Sequence, residues 1–235
     1  MRVLALIDDP VVRNGLKDIV NKKTYENIRV DYKFSYYERY EESETFKPIN
    51  IKESCKDIIK NYDIVFSLCS QIFPKELVNN VRCINFHFGI LPYVCGVFPI
   101  AFSIVNDMPS GVTIHLMDEQ IDHGDIIYQE EVNVSPLDKY KDIERKCQKK
   151  LIDILKKHIN DLIYGNYKTR KQLGKRKYFS IKDFNNLCKI DLKEKLTLKE
   201  LLDRLRALEL SPIGNAFYIS DNGEKINISV NLIKK

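Results

Sequence analysis

No stretch of this 235-residue chain is apolar for long enough to cross a bilayer as a helix. The N-terminus, MRVLALIDDP, is apolar for only five residues before it turns acidic. It reads as a first strand rather than a signal peptide. None of the six cysteines stands in a C-x-x-C pair, which excludes zinc-ribbon and thioredoxin-like motifs. Cys55, Cys69, Cys83, Cys95, Cys147 and Cys188 mostly sit in apolar patterns, as the reduced, buried thiols of a cytoplasmic protein do. The first turn, Asp8-Asp-Pro-Val-Val-Arg-Asn-Gly15, lacks G-x-G-x-x-G, and the chain lacks G-K-[ST]. Both absences argue against a standard dinucleotide site or a P-loop. Neither Ser70 nor Cys95 lies in a G-x-S-x-G elbow or an evident positive environment, so neither reads as a nucleophile. The histidines form no compact metal motif such as H-E-x-x-H. Internal repeats and low-complexity tracts are absent.

What is present is ordinary in amount: 44% hydrophobic and 30% charged residues. That composition and length suit one medium domain, or a domain with an appendage. The net charge of +5 is unevenly spread, with 16 basic against 9 acidic residues over 161–235. The run KTRKQLGKRK, residues 168–177, lacks interleaved aromatics and reads as a solvated linker rather than a nucleic-acid contact.

The first 107 residues alternate strand and helix patterns. Val3–Ile7, Ile28–Phe34, Asp63–Leu68 and Val81–His87 read as strands. Val11–Asn21, Ile51–Tyr62, Pro74–Val81 and Phe98–Asn106 read as helices. That alternation predicts an α/β fold, a mostly parallel sheet with helices on both faces. Two further strands follow, Gly111–Met117 and Ile126–Val134, then a long helix near Leu137–Tyr164. Thr197–Leu210 has the capping pair Thr197 and Glu200. Asp221-Asn-Gly-Glu224 is a hairpin signal between Asn215–Ser220 and Lys225–Leu232. A helix and a hairpin are too little for an independent core, so the tail must pack on the main domain or on a partner chain.

The segment CINFHFGILPYVCGVFPIAFSIVND, residues 83–107, carries the chemistry. Residues two apart on a strand face the same way, so Asn85 and His87 point together at a strand's carboxyl end. In the next segment Thr113, His115 and Met117 share one face, and Asp122 follows in a loop closed by Gly124. Asn, His and Asp brought to one point suit acyl transfer to an amine. The His takes a proton from the attacking nitrogen. The Asn donates to the oxyanion, and the Asp orients the His.

Asn85-Phe-His87, Gly96, Phe98-Pro99, Gly111-Val-Thr-Ile-His115 and Asp122-His-Gly124-Asp-Ile126 together resemble the folate-dependent formyltransferases. The closest likeness is to the nucleotide-sugar N-formyltransferases. Ser67-Leu-Cys-Ser-Gln71-Ile-Phe-Pro74, Asp183-Phe-Asn-Asn-Leu-Cys188, Leu205-Arg-Ala-Leu208 and Asn215-Ala-Phe-Tyr218 carry it. The resemblance implies a Rossmann-like catalytic domain over 1–177 and a C-terminal helix and hairpin over 178–235 that forms a homodimer. It implies 10-formyltetrahydrofolate as donor and no metal. The implied acceptor is a nucleotide-linked amino-deoxysugar, usually dTDP-4-amino-4,6-dideoxyglucose, destined for a glycan such as O-antigen lipopolysaccharide. It implies neither nucleic acid nor membrane as partner. Asn85, His87 and Asp122 match the family's catalytic triad. Folate is expected at Phe66, Leu68, Gln71, Ile72, Phe73, Cys83, Asp118 and Ile121. The sugar nucleotide is expected at Ser70, Tyr93, Gly96, Phe98, Pro99, His115, Arg206 and Asn215. Arg204, Arg206 and the 168–177 run are candidate phosphate contacts. The family's polar loop after the His is apolar here, with Leu91, Cys95 and Val97 at its usual Asn, Arg and Trp positions. The alternatives are a methionyl-tRNA formyltransferase-like enzyme and a binding protein that holds folate or nucleotide without turnover.

Overall fold

The structure, a computed structural model, describes residues 1–23, 25, 27–35, 48–211 and 214–233. In chain order its elements are β1 (Arg2–Ile7), α1 (Pro10–Asn21), β2 (Arg29–Ser35), β3 (Pro48–Ile49), α2 (Cys55–Asn61), β4 (Ile64–Leu68), α3 (Lys75–Asn80) and β5 (Arg82–His87). Then come β6 (Cys95–Gly96), α4 (Pro99–Val105), β7 (Gly111–Leu116), β8 (Ile126–Glu131) and α5 (Tyr140–Tyr164). The chain ends with β9 (Tyr178–Phe179), α6 (Ile181–Cys188), α7 (Leu198–Ala207), β10 (Ala216–Ile219) and β11 (Lys225–Ile228). Two compact units divide these residues. The first holds 1–87, 113–129 and 148–173, and the second 88–112, 130–147 and 174–235.

A seven-stranded sheet, ordered β3-β2-β1-β4-β5-β7-β8, organises the first unit. It is parallel from β3 to β5, and β7 then pairs antiparallel with β5. This is the mostly parallel sheet that the alternating sequence predicts, in the Rossmann-like form that the resemblance implies. All of Val3–Ile7 is buried, so both faces of β1 are covered. Leu4, Leu6, Val65 and Cys83 meet Ile58 of α2 and Leu77 of α3 on one face. Helix α1 begins where Asp9 accepts from the backbone N–H of Val11 and Val12 with Pro10 following. It lies against α5, where an added Cβ on Gly15 would stand 2.8 Å from Ile152.

Helix α2 starts at Cys55, four residues later than the apolar spacing predicts. Asn50 takes the backbone N–H of Lys52 and Glu53 on its side-chain oxygen, which makes 51–54 a turn first. At the carboxyl end of β1 the buried Asp8 carboxylate accepts from the backbone N–H of Ser35 at 2.6 Å and of Ser70 at 3.3 Å, and from the Ser35 hydroxyl. Burial nonetheless pushes the Asp8 carboxyl up from its ordinary range.

In the second unit β6 pairs parallel with β9, β10 and β11 form the expected hairpin, and α4 packs against α7. The capping box at Thr197 and Glu200 starts α7, and a second at Ser180 and Asp183 starts α6. No helix among the described residues is long and apolar enough to cross a membrane.

Candidate active site

Strand β5 runs parallel to β4 on one side and antiparallel to β7 on the other. The β7 register sets His115 opposite Asn85 and Thr113 opposite His87. Opposed residues on an antiparallel pair share a face. Four polar side chains therefore meet on one side of the sheet, while Phe86 turns to the other and packs on Phe66 with ring centroids 5.6 Å apart.

Asn85 Nδ2 lies 3.1 Å from His115 Nε2 and donates to Asp122 Oδ1 at 3.3 Å. His87 Nδ1 stands 3.7 Å from Asp122 Oδ2, and His115 Nε2 stands 3.5 Å from Asp122 Oδ1. His87, His115 and Asp122 are only 6%, 1% and 9% exposed. The three residues read as a triad from sequence are thus in one cluster. His115, expected at the sugar, is bonded to Asn85 as a fourth member. Its Nδ1 lies 2.7 Å from the Leu116 carbonyl oxygen. A carbonyl can only accept, so Nδ1 carries a hydrogen. In the neutral ring Nε2 is then the acceptor that Asn85 satisfies. Asn85 therefore spends one amide hydrogen on His115 and one on Asp122.

Asp122 sits in a left-handed backbone conformation, φ 51°, which Asp tolerates better than most residues. Gly124 is required beside it, because a Cβ there would lie 2.0 Å from the Leu116 carbonyl oxygen. The turn is gripped from a segment that reads in sequence as a solvated linker. Gln172 Nε2 donates to the carbonyl oxygens of Asp122 at 3.0 Å and Gly124 at 2.9 Å. The Arg170 backbone bridges Ile126 through both its N–H and its C=O. Lys171 Nζ meets Asp125 at 2.9 Å. Sequence reasoning missed these three residues. Nothing in their period or composition marks them, and only the surplus of donors in the run hints at a holding role.

Two loops border the cluster in the first unit. The 69–74 loop follows β4 and the 117–125 loop follows β7. Helix α3, which follows the first loop, is tied to the second where Lys75 and Asn79 donate to Glu119 at 2.6 and 3.0 Å. Ile72 and Ile121 stand on these loops 73% and 38% exposed. Phe66, Phe73 and Cys83 are buried in the core, so main chain is what they offer a ligand. Gln71 is half-buried and clasps the chain after β3, accepting from Ile51 N–H at 2.7 Å and donating to Ile49 O at 2.8 Å. Leu68 O accepts from Asp8 N–H, and Ser70 N–H donates to Asp8. Asp118 accepts from Gln120 N–H at 2.8 Å and pairs with His123 at 2.6 Å. Among the described residues no group of three or more His, Cys, Asp or Glu is arranged to hold a metal ion.

The other expected sugar residues belong to the second unit. Tyr93 is exposed there. Gly96, φ 92°, is where a Cβ would meet Phe179 O at 2.1 Å. Phe98 precedes Pro99 at the start of α4 and stacks on Phe184 at 3.7 Å. The apolar character of the loop has a physical reason, since Leu91, Val94 and Cys95 are buried. Arg206 bonds Asp203 at 2.7 Å and Asp138 O at 2.8 Å. Arg204 gathers the carbonyls of Asn186, Leu187 and Lys189 at the end of α6 and pairs with Glu194. Asn215 N–H donates to Leu208 O, and its buried Oδ1 has no hydrogen-bond partner among the described residues.

Comparison with known proteins bears on this geometry. The family model described as formyl transferase matches residues 18–159. The one described as N-formyltransferase dimerization C-terminal domain matches 183–235. A dTDP-4-amino-4,6-dideoxyglucose formyltransferase from Mycobacterium tuberculosis is 34% identical over 182 residues, 77% of this chain and 78% of its own. A methionyl-tRNA formyltransferase from Fusobacterium nucleatum is 32% identical over 74% of this chain, but the match spans only 56% of that protein. Among solved structures, a sugar N-formyltransferase from a Shewanella species superimposes with a TM-score of 0.93 at 37% identity, covering 100% of this chain and 99% of its own. A 4-N formyltransferase from Francisella tularensis gives 0.90 at 37% identity, covering 100% and 98%. An N-formyltransferase from Helicobacter canadensis, solved with folinic acid and dTDP-3-aminofucose, gives 0.68 at 26% identity over 88% of this chain and 79% of its own.

Proposed function

The chain belongs to the formyl transferase family, and on that premise we propose that it moves a formyl group from 10-formyltetrahydrofolate to the amino group of a nucleotide-linked amino-deoxysugar, with dTDP-4-amino-4,6-dideoxyglucose the leading acceptor. The observation that carries this reading is the cluster of Asn85, His87, His115 and Asp122 at the end of β5. The acceptor follows the relatives matched over most of their length.

When bound, the folate supplies the formyl group on nitrogen, already activated toward an amine. The protein's own groups then have three tasks. His87 takes the proton that the acceptor nitrogen sheds as its bond to the formyl carbon forms, and would return it to the donor's nitrogen as the formyl C–N bond there breaks. Asp122 holds the His87 ring and stabilises it once protonated, which requires the present 3.7 Å gap to close. Asn85 offers an N–H to the formyl oxygen as negative charge develops there. To do so it releases one of its two resting acceptors, His115 or Asp122. The 69–74 and 117–125 loops would hold the folate, with the exposed Ile72 and Ile121 offering it apolar contact.

The C-terminal match and the exposed apolar Leu192, Leu198 and Ile226 support a homodimer. Light scattering should return twice the 27.6 kDa chain mass, and a monomer mass at all concentrations would refute this. The reaction is tested by mass spectrometry of protein, 10-formyltetrahydrofolate and a panel of dTDP-, UDP- and GDP-linked amino sugars, with methionyl-tRNA included. One formyl group gained by a 4-amino dTDP-sugar is the expected result. Gain by methionyl-tRNA alone would move the function to translation initiation. Folate binding without any gain would leave a binding protein.

A further inference from the structure

We propose that Gln172 is a positioning residue for Asp122: its side-chain amide holds the left-handed turn at Asp122 by two backbone carbonyls, and so sets where the carboxylate meets His87 and Asn85. The inference rests on the formyl-transfer reading for its kinetic consequence only. Both hydrogens of the Gln172 amide nitrogen are committed, at 3.0 Å to Asp122 O and 2.9 Å to Gly124 O. A non-glycine residue at φ 51° lies in a sparsely populated region and persists only where its surroundings impose it. Gly124 has no room for a side chain, because an added Cβ would lie 2.0 Å from Leu116 O. The Asp122 carbonyl and carboxylate hang from one Cα, so holding the carbonyls on both sides of the turn limits how far the backbone that carries the carboxylate can shift.

The neighbours of Gln172 serve the same loop. Arg170 pairs with Ile126 through its backbone, and Lys171 pairs with Asp125. The Arg170 guanidinium donates to Gln129 Oε1 at 2.6 Å, and Gln129 donates in turn to Thr113, the residue opposite His87. Residues 170–172 thus form a strap along the catalytic loop. The amide's orientation is fixed by chemistry, since only its NH₂ can face two carbonyls. Among the described residues its buried Oε1 has no hydrogen-bond partner. A buried unpartnered acceptor is costly, and it is retained here beside two bonds that act on the aspartate turn.

The test compares Gln172→Met, which keeps length and loses the donor, with Gln172→Glu, which turns an acceptor toward two carbonyls. Both should lower kcat about 10- to 100-fold, the loss typical of a small misplacement of a reacting group, with little change in KM for the sugar. Amide hydrogen exchange should quicken at 118–125 and stay unchanged in β1 and β4. The carboxyl introduced by Gln172→Glu, once protonated, can donate again. The activity of Gln172→Glu relative to wild type should therefore rise as pH falls, while that of Gln172→Met stays level. A merely structural role would not produce that divergence. Should Gln172→Met fail to fold, Gln172→Asn, one methylene short, gives the same readouts. Wild-type kcat in the variants, or unaltered exchange at 118–125, overturns the inference. If wild-type protein formylates no acceptor, the proposed reaction fails, and the exchange measurement still decides the strap.

Discussion

Asn85 has two amide hydrogens and, at rest, two acceptors for them. Any role at an oxyanion therefore begins with an exchange of partners, and His87 shares Asp122 with both Asn85 and His115. Removing the base should be severe where removing bulk is not. His87→Asn is expected to lower kcat by about 10²- to 10⁴-fold, the usual yield of general base catalysis, with little change in Tm. Turnover near wild type with a confirmed acceptor would rule His87 out as the base. A second residue-scale prediction concerns Asp8. Burial raises its carboxyl pKa in the folded state above the unfolded value, despite its three donors. The folded state then binds the proton more tightly, so this group's contribution to stability declines as pH rises from the ordinary carboxylate value through the raised one. Asp8→Asn should flatten that part of the stability–pH curve, read as urea midpoints across mildly acidic pH. Parallel curves for both proteins would contradict it.

At the scale of elements, the long periodic segments were legible in the sequence, and the short or aperiodic ones were not. Strands β1, β2, β4 and β5 and helices α1, α5 and α7 follow apolar spacing and capping residues closely. The two-residue strands β3, β6 and β9 are too short for any period to show. Helix α6 hides in a stretch quoted only as a motif, although Ser180 and Asp183 form a capping box. The shared face of Asn85 and His87 was legible because period two fixes which strand residues point together. His115 joined it only through the antiparallel register, which a sequence does not print. The 170–172 strap was illegible because its bonds depend on where an aperiodic segment is laid. Gly124 yields the element-scale prediction. Gly124→Ala puts a Cβ 2.0 Å from Leu116 O, so β7 and the aspartate turn must part. Activity should fall below detection, with a Tm loss of several degrees, since overpacking against backbone typically costs about 1–3 kcal/mol. An active, equally stable variant would show that the turn relaxes freely.

For the whole molecule, burial governs the cysteines. All six are free, and five are buried. Burial pushes the thiols of Cys69, Cys83 and Cys147 up to about 12 and raises those of Cys55 and Cys188. Reactivity follows the thiolate, so a chromogenic disulfide reagent should count close to no fast thiols in native protein and six in denaturant. A rapidly reacting native thiol would contradict the burial argument, with the half-buried Cys69 the first suspect. An absence of fast native thiols would bear out the reading that Cys95 supplies no nucleophile.

The strap also sets an order of events at the ribosome. Asp122 is translated about 50 residues before Gln172. At roughly 5–20 residues per second that is an interval of about 3–10 s. During it the nascent chain carries Asn85, His87 and Asp122 but not the amide that holds the aspartate turn. On the roles proposed for these residues, competence for catalysis arrives late, after α5 has been made. A ribosome-stalled chain ending at residue 169 should resist protease in its strands and be cut at 118–125, and a stall well beyond Gln172 should protect both. Equal protection of the loop at the two lengths would remove the delay.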